Sequence, residues 1–335
     1  MPSTLYIFNP ENDMALADGK PGYTPPAQIQ QMRRELWWLP QWWAEEEDFV
    51  WNGEDRLNLS DDTRIQPWGW SPALCHQLKQ NGVQTFLLPS VEQLEQIRQL
   101  SHRQTAVTML KEMRDQLPLD GHFAGESMLC RTIEEVKETV NKYGDALLKS
   151  PWSSSGRGLI KPPTISSKEG GSYSIPPRRD WEGAVRRILR QQGSIIVERF
   201  LHKVTDFALE YWLDGKGGVE YRGLSLFYTN ERGAYLGNWV APEEQKFQWL
   251  AQYISPQWLV EIRRWWEERL SHYRYCGPVG IDMMLAQEGV CPCIEVNWRM
   301  TMGLVSCLVA EQGRYGRLVV EYIYGHYSAE VENFC

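Results

Sequence analysis

The stretch LLKSPWSSSGRGL, Leu147 to Leu159, decides how the chain is read. An apolar, strand-like run ends in a lysine, and the chain then turns to serine and glycine. A loop of this kind offers backbone N–H groups and a cation together, which suits a phosphate. The phosphate loop of the G-x-x-x-x-G-K-[ST] pattern places its lysine after the second glycine, at a helix start. Here Lys149 precedes the glycines and ends a strand, so a different nucleotide architecture is needed.

A second stretch narrows the choice. In GIDMML, Asp282 interrupts an apolar strand, and in CIEVNWR, Glu295 and Asn297 are two apart and share one strand face. A turn around AQEGV makes the two strands antiparallel, so two carboxylates and an amide meet at a strand spacing of about 5 Å. Oxygen-only ligands of this type suit Mg²⁺ or Mn²⁺ on nucleotide phosphates. Arg299 keeps the same facing if the strand continues, and its planar fork fits phosphate oxygens. Taken alone, the hairpin reads equally well as an edge acid and a surface ion pair.

Between these lies IIVERFL, a buried strand leading into a hinge-like segment. A strand-end lysine, a Ser/Gly loop, a V-E-x-F hinge and a D…E-x-N-x-R hairpin, in this order, resemble the ATP-grasp superfamily over about residues 100–310. The resemblance implies an α/β (α+β) ATP-grasp fold, with the nucleotide between two antiparallel-type sheets, preceded by a small parallel α/β pre-grasp domain. The implied boundaries are residues 1–100 for the N-terminal domain, 101–200 for the small lobe and 201–335 for the large lobe with the metal site.

Residue by residue, the resemblance implies that Lys149 binds the ATP α/β-phosphates. Ser154, Ser155, Gly156 and Gly158 form the small loop over them. Glu198 is the hinge acid whose segment, through backbone groups of Arg199, Phe200 and Leu201, meets adenine, and Asp206 faces the ribose hydroxyls. Asp282, Glu295 and Asn297 are the metal ligands, and Arg299, with Lys149, steadies the transferred phosphoryl group. One position departs from the family: where a lysine usually opens the helix into the small lobe, LSHRQTAVTML has Arg103. Arginine keeps the charge and can fork across a phosphate, but it is not a neutral exchange.

The rest of the sequence sets bounds. A chain of 335 residues with 42% apolar and 23% charged residues is long enough for two domains or one composite one. A net charge of −8 argues against a duplex-binding nucleic-acid surface. Seven cysteines do not read as a disulfide framework, and Cys291-Pro-Cys293 has no second pair for zinc. With no signal-like N-terminus and no run near ~18 apolar residues, the expectation is a cytoplasmic protein with no membrane partner. Sixteen tryptophans, several adjacent, are core residues or cover a cleft or a subunit contact such as a homodimer's.

Along the chain, Leu5–Phe8, DFVW and TFLLP read as strands of the first sheet, with Ala27–Leu39 and SPALCHQLKQNG helical. CRTIEEVKETVNKYG is a capped helix and WEGAVRRILRQQG an amphipathic one. DFALEYWLDGKGGVEYRGLSLFYT reads as two or three strands with a glycine turn. TMGLVS begins a helix over the site, and Ser166 to Asp180 is an exposed loop. The substrate candidates are Asn9, Glu11 and Asn12 at the end of the first strand, where α/β sheets place ligand loops, together with Arg222 and Asn238. The implied reaction is Mg-ATP-dependent joining of a small-molecule carboxylate, through an acyl phosphate, to an amine. A small-molecule kinase and a non-catalytic nucleotide-binding protein of the same fold are the alternatives.

Overall fold

The computed structural model describes residues 3–117, 119–152, 158–163, 176–230 and 233–333. Its first layer is a three-stranded parallel sheet of β1 (Thr4–Ile7), β2 (Phe49–Val50) and β3 (Arg64–Pro67), in the order β2-β1-β3. Leu5 and Ile7 alternate inward onto Trp51, Leu74 and Leu78. The helices here are α1 (Asn12–Asp18), α2 (Ala27–Leu36), α3 (Pro72–Gln80) and α4 (Val91–Leu100). The Ser71 hydroxyl caps α3 by accepting from the Leu74 N–H, with Pro72 pre-set at the first helical position.

Two sequence expectations fail in this layer. TFLLP is a single 3-10 turn, Thr85–Leu87, which leaves Phe86 exposed while Leu88 is buried and Leu87 packs partly inward. The strand beside β1 is instead β3, running in register from Thr4 opposite Arg64 to Ile7 opposite Pro67. Its RIQP sequence has too few apolar residues to announce a strand. Helix α2 also stops at Leu36, and a 3-10 turn follows at Leu39–Trp42, where Pro40 stands.

Helix α5 (Gln104–Gln116) leads to an antiparallel sheet of β4 (Ser127–Cys130), β5 (Ala146–Lys149), β6 (Leu159–Ile160) and β7 (Ile195–Arg199), in the order β4-β7-β5-β6. Helices α6 (Ile133–Tyr143) and α7 (Trp181–Gln192) cover one face. Thr132 and Glu135 form the reciprocal capping box expected for α6. Ala146 and Leu148 pack against these helices, so Leu147 and Lys149 point the other way.

The third sheet has seven antiparallel strands: β8 (Lys203–Asp214), β9 (Val219–Thr229), β10 (Tyr235–Val240), β11 (Cys276–Ala286), β12 (Gly289–Asn297), β13 (Gly316–Ile323) and β14 (His326–Glu332), in the order β12-β11-β8-β9-β10-β13-β14. With it come α8 (Glu243–Leu250), α9 (Pro256–Ser271) and α10 (Met302–Glu311). The period-2 alternation of β8 sorts its residues. Phe207, Leu209, Tyr211 and Leu213 join the main core with Ile262 and Trp266 of α9. Asp206, Ala208 and Glu210 face the opposite side, into a cavity. Helix α10 follows Arg299 as the sequence suggests, its first turn capped by the Thr301 hydroxyl.

Candidate functional site

The cavity, about 350 Å³, is lined by the four-stranded sheet, the seven-stranded sheet and the loop after β1. The opening question has a topological answer. Lys149 pairs with Leu159 across an antiparallel ladder, so the Ser/Gly stretch connects the hairpin strands β5 and β6 rather than opening a helix. Gly158 has φ of +75°, a conformation that favours glycine at the foot of that connection. Ser154, Ser155 and Gly156 lie outside the described residues.

On the small-sheet side, Lys149 Nζ meets Glu198 Oε2 at 2.6 Å, both largely buried. Arg199, Phe200 and Leu201 continue the same wall into the seven-stranded sheet. Next to them, Lys203 Nζ meets Asp206 Oδ2 at 2.7 Å, and the Thr229 hydroxyl donates to the same oxygen at 2.9 Å.

On the other side, strand register assembles the acids. Asp282 of β11 stands directly opposite Glu295 of β12 and Ala208 of β8, while Gly280 stands opposite Asn297 and Glu210. Asn297 Nδ2 donates to Asp282 Oδ2 at 3.1 Å. Its Oδ1 accepts from Arg299 Nη2 at 2.9 Å. Burial first, and then the facing Glu295 carboxylate, push the Asp282 acid up to about 7. Burial, and then Asp282, push Glu210 up to about 8.

Arg103 links the two sides. Its Nη1 donates to the Ser150 carbonyl at 2.8 Å, one residue from Lys149, and its Nη2 forks onto Glu295 at 2.8 and 2.9 Å. The lysine and the hairpin acids, distant in sequence, therefore share one cavity. Arg103 sits in that cavity as a counter-ion to Glu295, a pairing that its sequence position did not foretell.

Several residues that the sequence reading passed over are built into the site. Asp13 of α1 accepts from Arg299 Nε at 3.0 Å through both oxygens, fixing the arginine from the N-terminal layer. Glu210 is 1% exposed and takes the Thr301 hydroxyl at 2.9 Å on Oε2. Phe8, Trp68, Met32, Leu36 and Leu39 give the cavity an apolar wall, with Phe8 and Trp68 edge to face at 5.1 Å.

Among the substrate candidates, the structure brings only Asn238 to the cavity, where its Nδ2 donates to Ser225 Oγ at 2.7 Å. Asn9, Glu11, Asn12 and Arg222 do not line it. Asn9 exchanges hydrogen bonds with the Gly69 backbone, and Glu11 pairs with Arg33 at 2.9 Å. Asn12 is buried beside the Gly69 and Trp70 carbonyls. Arg222 is held on the outside by Glu220 and Glu311. Each of the four meets a local polar group that outcompetes an orientation toward the cavity.

Two carboxylates and an amide oxygen could hold a small divalent cation. Among the described residues no group of three or more His, Cys, Asp or Glu side chains is arranged as a metal cage. Such a sparse set fits Mg²⁺, which keeps waters and phosphate oxygens as most of its shell. The repulsion by which the Glu295 carboxylate adds to the raising of Asp282 is one that a divalent cation relieves. Cys291 and Cys293 are buried on β12.

No family model and no curated protein sequence matches the chain. Solved structures do resemble it. Pyruvate carboxylase from Rhizobium etli superposes with a TM-score of 0.52 at 12% identity, over 92% of this chain and 27% of that one. This chain thus spans about a quarter of that enzyme. N5-carboxyaminoimidazole synthetase from Staphylococcus aureus gives 0.49 at 11% identity, over 96% and 82% of the two chains. Phosphoribosylamine–glycine ligase from Thermotoga maritima gives 0.49 at 14% identity, over 96% and 81%. At such identities the likeness is one of fold. The chain has the ATP-grasp fold, an α/β architecture with a small parallel layer ahead of two antiparallel sheets. No helix among the described residues is long and apolar enough to cross a membrane.

Proposed function

We propose that this protein is an ATP-dependent ligase that activates a small-molecule carboxylate as an acyl phosphate and joins it to an amine, releasing ADP and phosphate. The observation that carries the reading is that Lys149 from one sheet and Asp282 and Glu295 from the other line a single cavity, bridged by Arg103.

In this reading the adenine lies along the Glu198–Leu201 segment and the ribose beside Asp206 and Lys203. Lys149 neutralises the α/β-phosphates, exchanging its Glu198 partner for phosphate oxygens. Asp282, Glu295 and Asn297 hold Mg²⁺, which when bound neutralises polyphosphate charge. Arg299, oriented by Asp13 and Asn297, presents its guanidinium to the γ-phosphoryl group as that group moves to the carboxylate. Phosphoryl transfer needs positioning and charge neutralisation more than a protein nucleophile, and these residues supply both. The neutral amine then forms a bond to the acyl carbon as the C–O bond to phosphate breaks, the electron pair leaving on phosphate, which takes up the proton that the nitrogen sheds. A protonated Asp282 would be a weak ligand, so loading would require its ionisation.

The test is a paired screen of carboxylic acids and amines with Mg-ATP, following ADP and inorganic phosphate. Phosphate release that requires both partners supports the ligase. ADP formation from a hydroxyl compound alone, with no phosphate released, would turn the reading into a kinase. No ADP under any pairing would leave a nucleotide-binding protein.

A further inference from the structure

Beyond the polyphosphate residues the cavity has a chamber that the proposed chemistry above does not use. Strand β8 runs away from the hinge in the order Asp206, Ala208, Glu210, all on the cavity face. Ala208 is level with Asp282, so Glu210 lies two residues farther along, about 7 Å past the metal-side acids. That is the side where Arg299 and the N-terminal layer close the cavity.

Glu210 is unusual there. It is 1% exposed, its Oε2 is taken by Thr301, and its Oε1 is buried with no hydrogen-bond partner among the described residues. A buried carboxylate oxygen left unpaired forfeits its solvation without return, so it calls for a donor that the described residues do not supply. The neighbour of that oxygen is Gly303, where a Cβ would fall 2.1 Å from Oε1, so only glycine fits beside it at the start of α10. Around it the wall turns apolar: Phe8, Met32, Leu36, Leu39, Trp68 and Val320 line the same cavity.

We infer that this chamber is the amine subsite, and that the amine it takes is a primary ammonium on an apolar, preferably aromatic, body. Glu210 Oε1 accepts from the ammonium group and takes the proton that the nitrogen must shed before it can attack, and the Phe8–Trp68 wall holds the body. A hydrophilic amine such as ammonia or glycinamide gains nothing from that wall, and a neutral apolar molecule leaves the carboxylate unpaired. A buried polar group that loses its partner discriminates strongly between otherwise similar ligands. The inference rests on the ligase reading for calling this molecule the nucleophile, while the binding itself is measured independently of turnover.

The experiment is calorimetric titration of the full chain at pH 9, where Glu210 is ionised and the amine is still an ammonium, with phenethylamine and with phenethyl alcohol, each with and without Mg²⁺ and AMP-PNP. Phenethylamine is expected to bind at least tenfold more tightly than the alcohol. Glu210→Gln is expected to remove that preference, and Met32→Ala to weaken phenethylamine while leaving the ratio of amine to alcohol unchanged. Equal binding of amine and alcohol, an unaltered preference in Glu210→Gln, or no phenethylamine binding in either condition overturns the inference. The amine–alcohol comparison on the wild-type chain decides it even if Glu210→Gln fails to fold. AMP-PNP binding, titrated on the same samples, separates the two readings: nucleotide without amine sinks the subsite alone, and amine without nucleotide sinks the ligase alone.

Discussion

The two antiparallel sheets meet the cavity in opposite electrostatic states. The four-stranded sheet presents Lys149, held by one carboxylate, Glu198, at 2.6 Å. The seven-stranded sheet presents Asp206, Glu210, Asp282 and Glu295 on one face, and two of these acids are pushed up to about 7 and 8. One side is balanced before any ligand arrives, whereas the other carries more buried acids than cations to pair them. Stability and function are therefore set against each other on the large sheet far more than on the small one.

The largest expected effect tests the acid side. Glu295→Gln removes one of the two proposed metal carboxylates, and Mg-dependent ATP turnover should fall on the order of 10²–10³-fold. Turnover within twofold of wild type, measured as ADP release, would end the metal assignment. Next comes the cation side. Lys149→Ala should weaken ATP binding about 10–100-fold by calorimetry, the scale of a lost charge-assisted contact. An unchanged dissociation constant would make Lys149 simply the partner of Glu198, and the contrast between the sheets would lose its functional meaning.

A stability effect sharpens the same comparison. Glu210 has a folded pKa of about 8 against an ordinary 4.5, so between these values the folded chain keeps a proton that the unfolded chain has released. Its contribution is fully present below about 4.5 and is lost as pH rises toward 8. Glu210→Gln should therefore be more stable than wild type at pH 8.5, by up to about 5 kcal/mol, with the difference vanishing near pH 4.5. Chemical denaturation at the two pH values reads this directly, and a variant less stable at both would contradict the excess-charge picture.

The smallest effect lies near the small sheet. His102 packs edge-on against Trp152 at 4.4 Å, and burial, then Arg98 and Arg103, lower it to about 4. The unfolded chain takes up a proton near pH 6.5 that the folded chain refuses, so stability present above 6.5 declines as pH falls toward 4. Because His102 is only partly buried, the decline should be about 1 kcal/mol or less. His102→Gln should flatten it in denaturation curves at pH 7 and 4.5; an equally steep decline would assign the effect to other groups.

What the sequence makes legible follows from how local each signal is. Lys149, the Glu198–Leu201 segment and the Asp282–Asn297 hairpin each declare themselves within one short stretch, and the period-2 rule tells which side chains share a face. Asp13 stands inside the NPENDM stretch, yet nothing there marks it, because its partner Arg299 is 286 residues away. Glu210 is hidden inside the apolar ALEYWL run, since its surroundings, Gly280, Thr301 and Gly303, come from other elements. Asn9, Glu11 and Asn12 mislead for the converse reason: polar residues at a strand end are as useful for tying the backbone of a neighbouring loop as for meeting a ligand. In the first layer, TFLLP has the composition of a strand, but the place beside β1 belongs to the more polar RIQP.

The fork of Arg103 onto Glu295 has one further consequence. If Glu295 holds a cation as proposed, a guanidinium already resting on it would make loading an exchange of ions rather than an addition. The divalent cation would have to displace Arg103, and the arginine would then be available to the polyphosphate. Affinity for the metal and for the polyphosphate would then rise together, each helping the other by the work of parting that one pair.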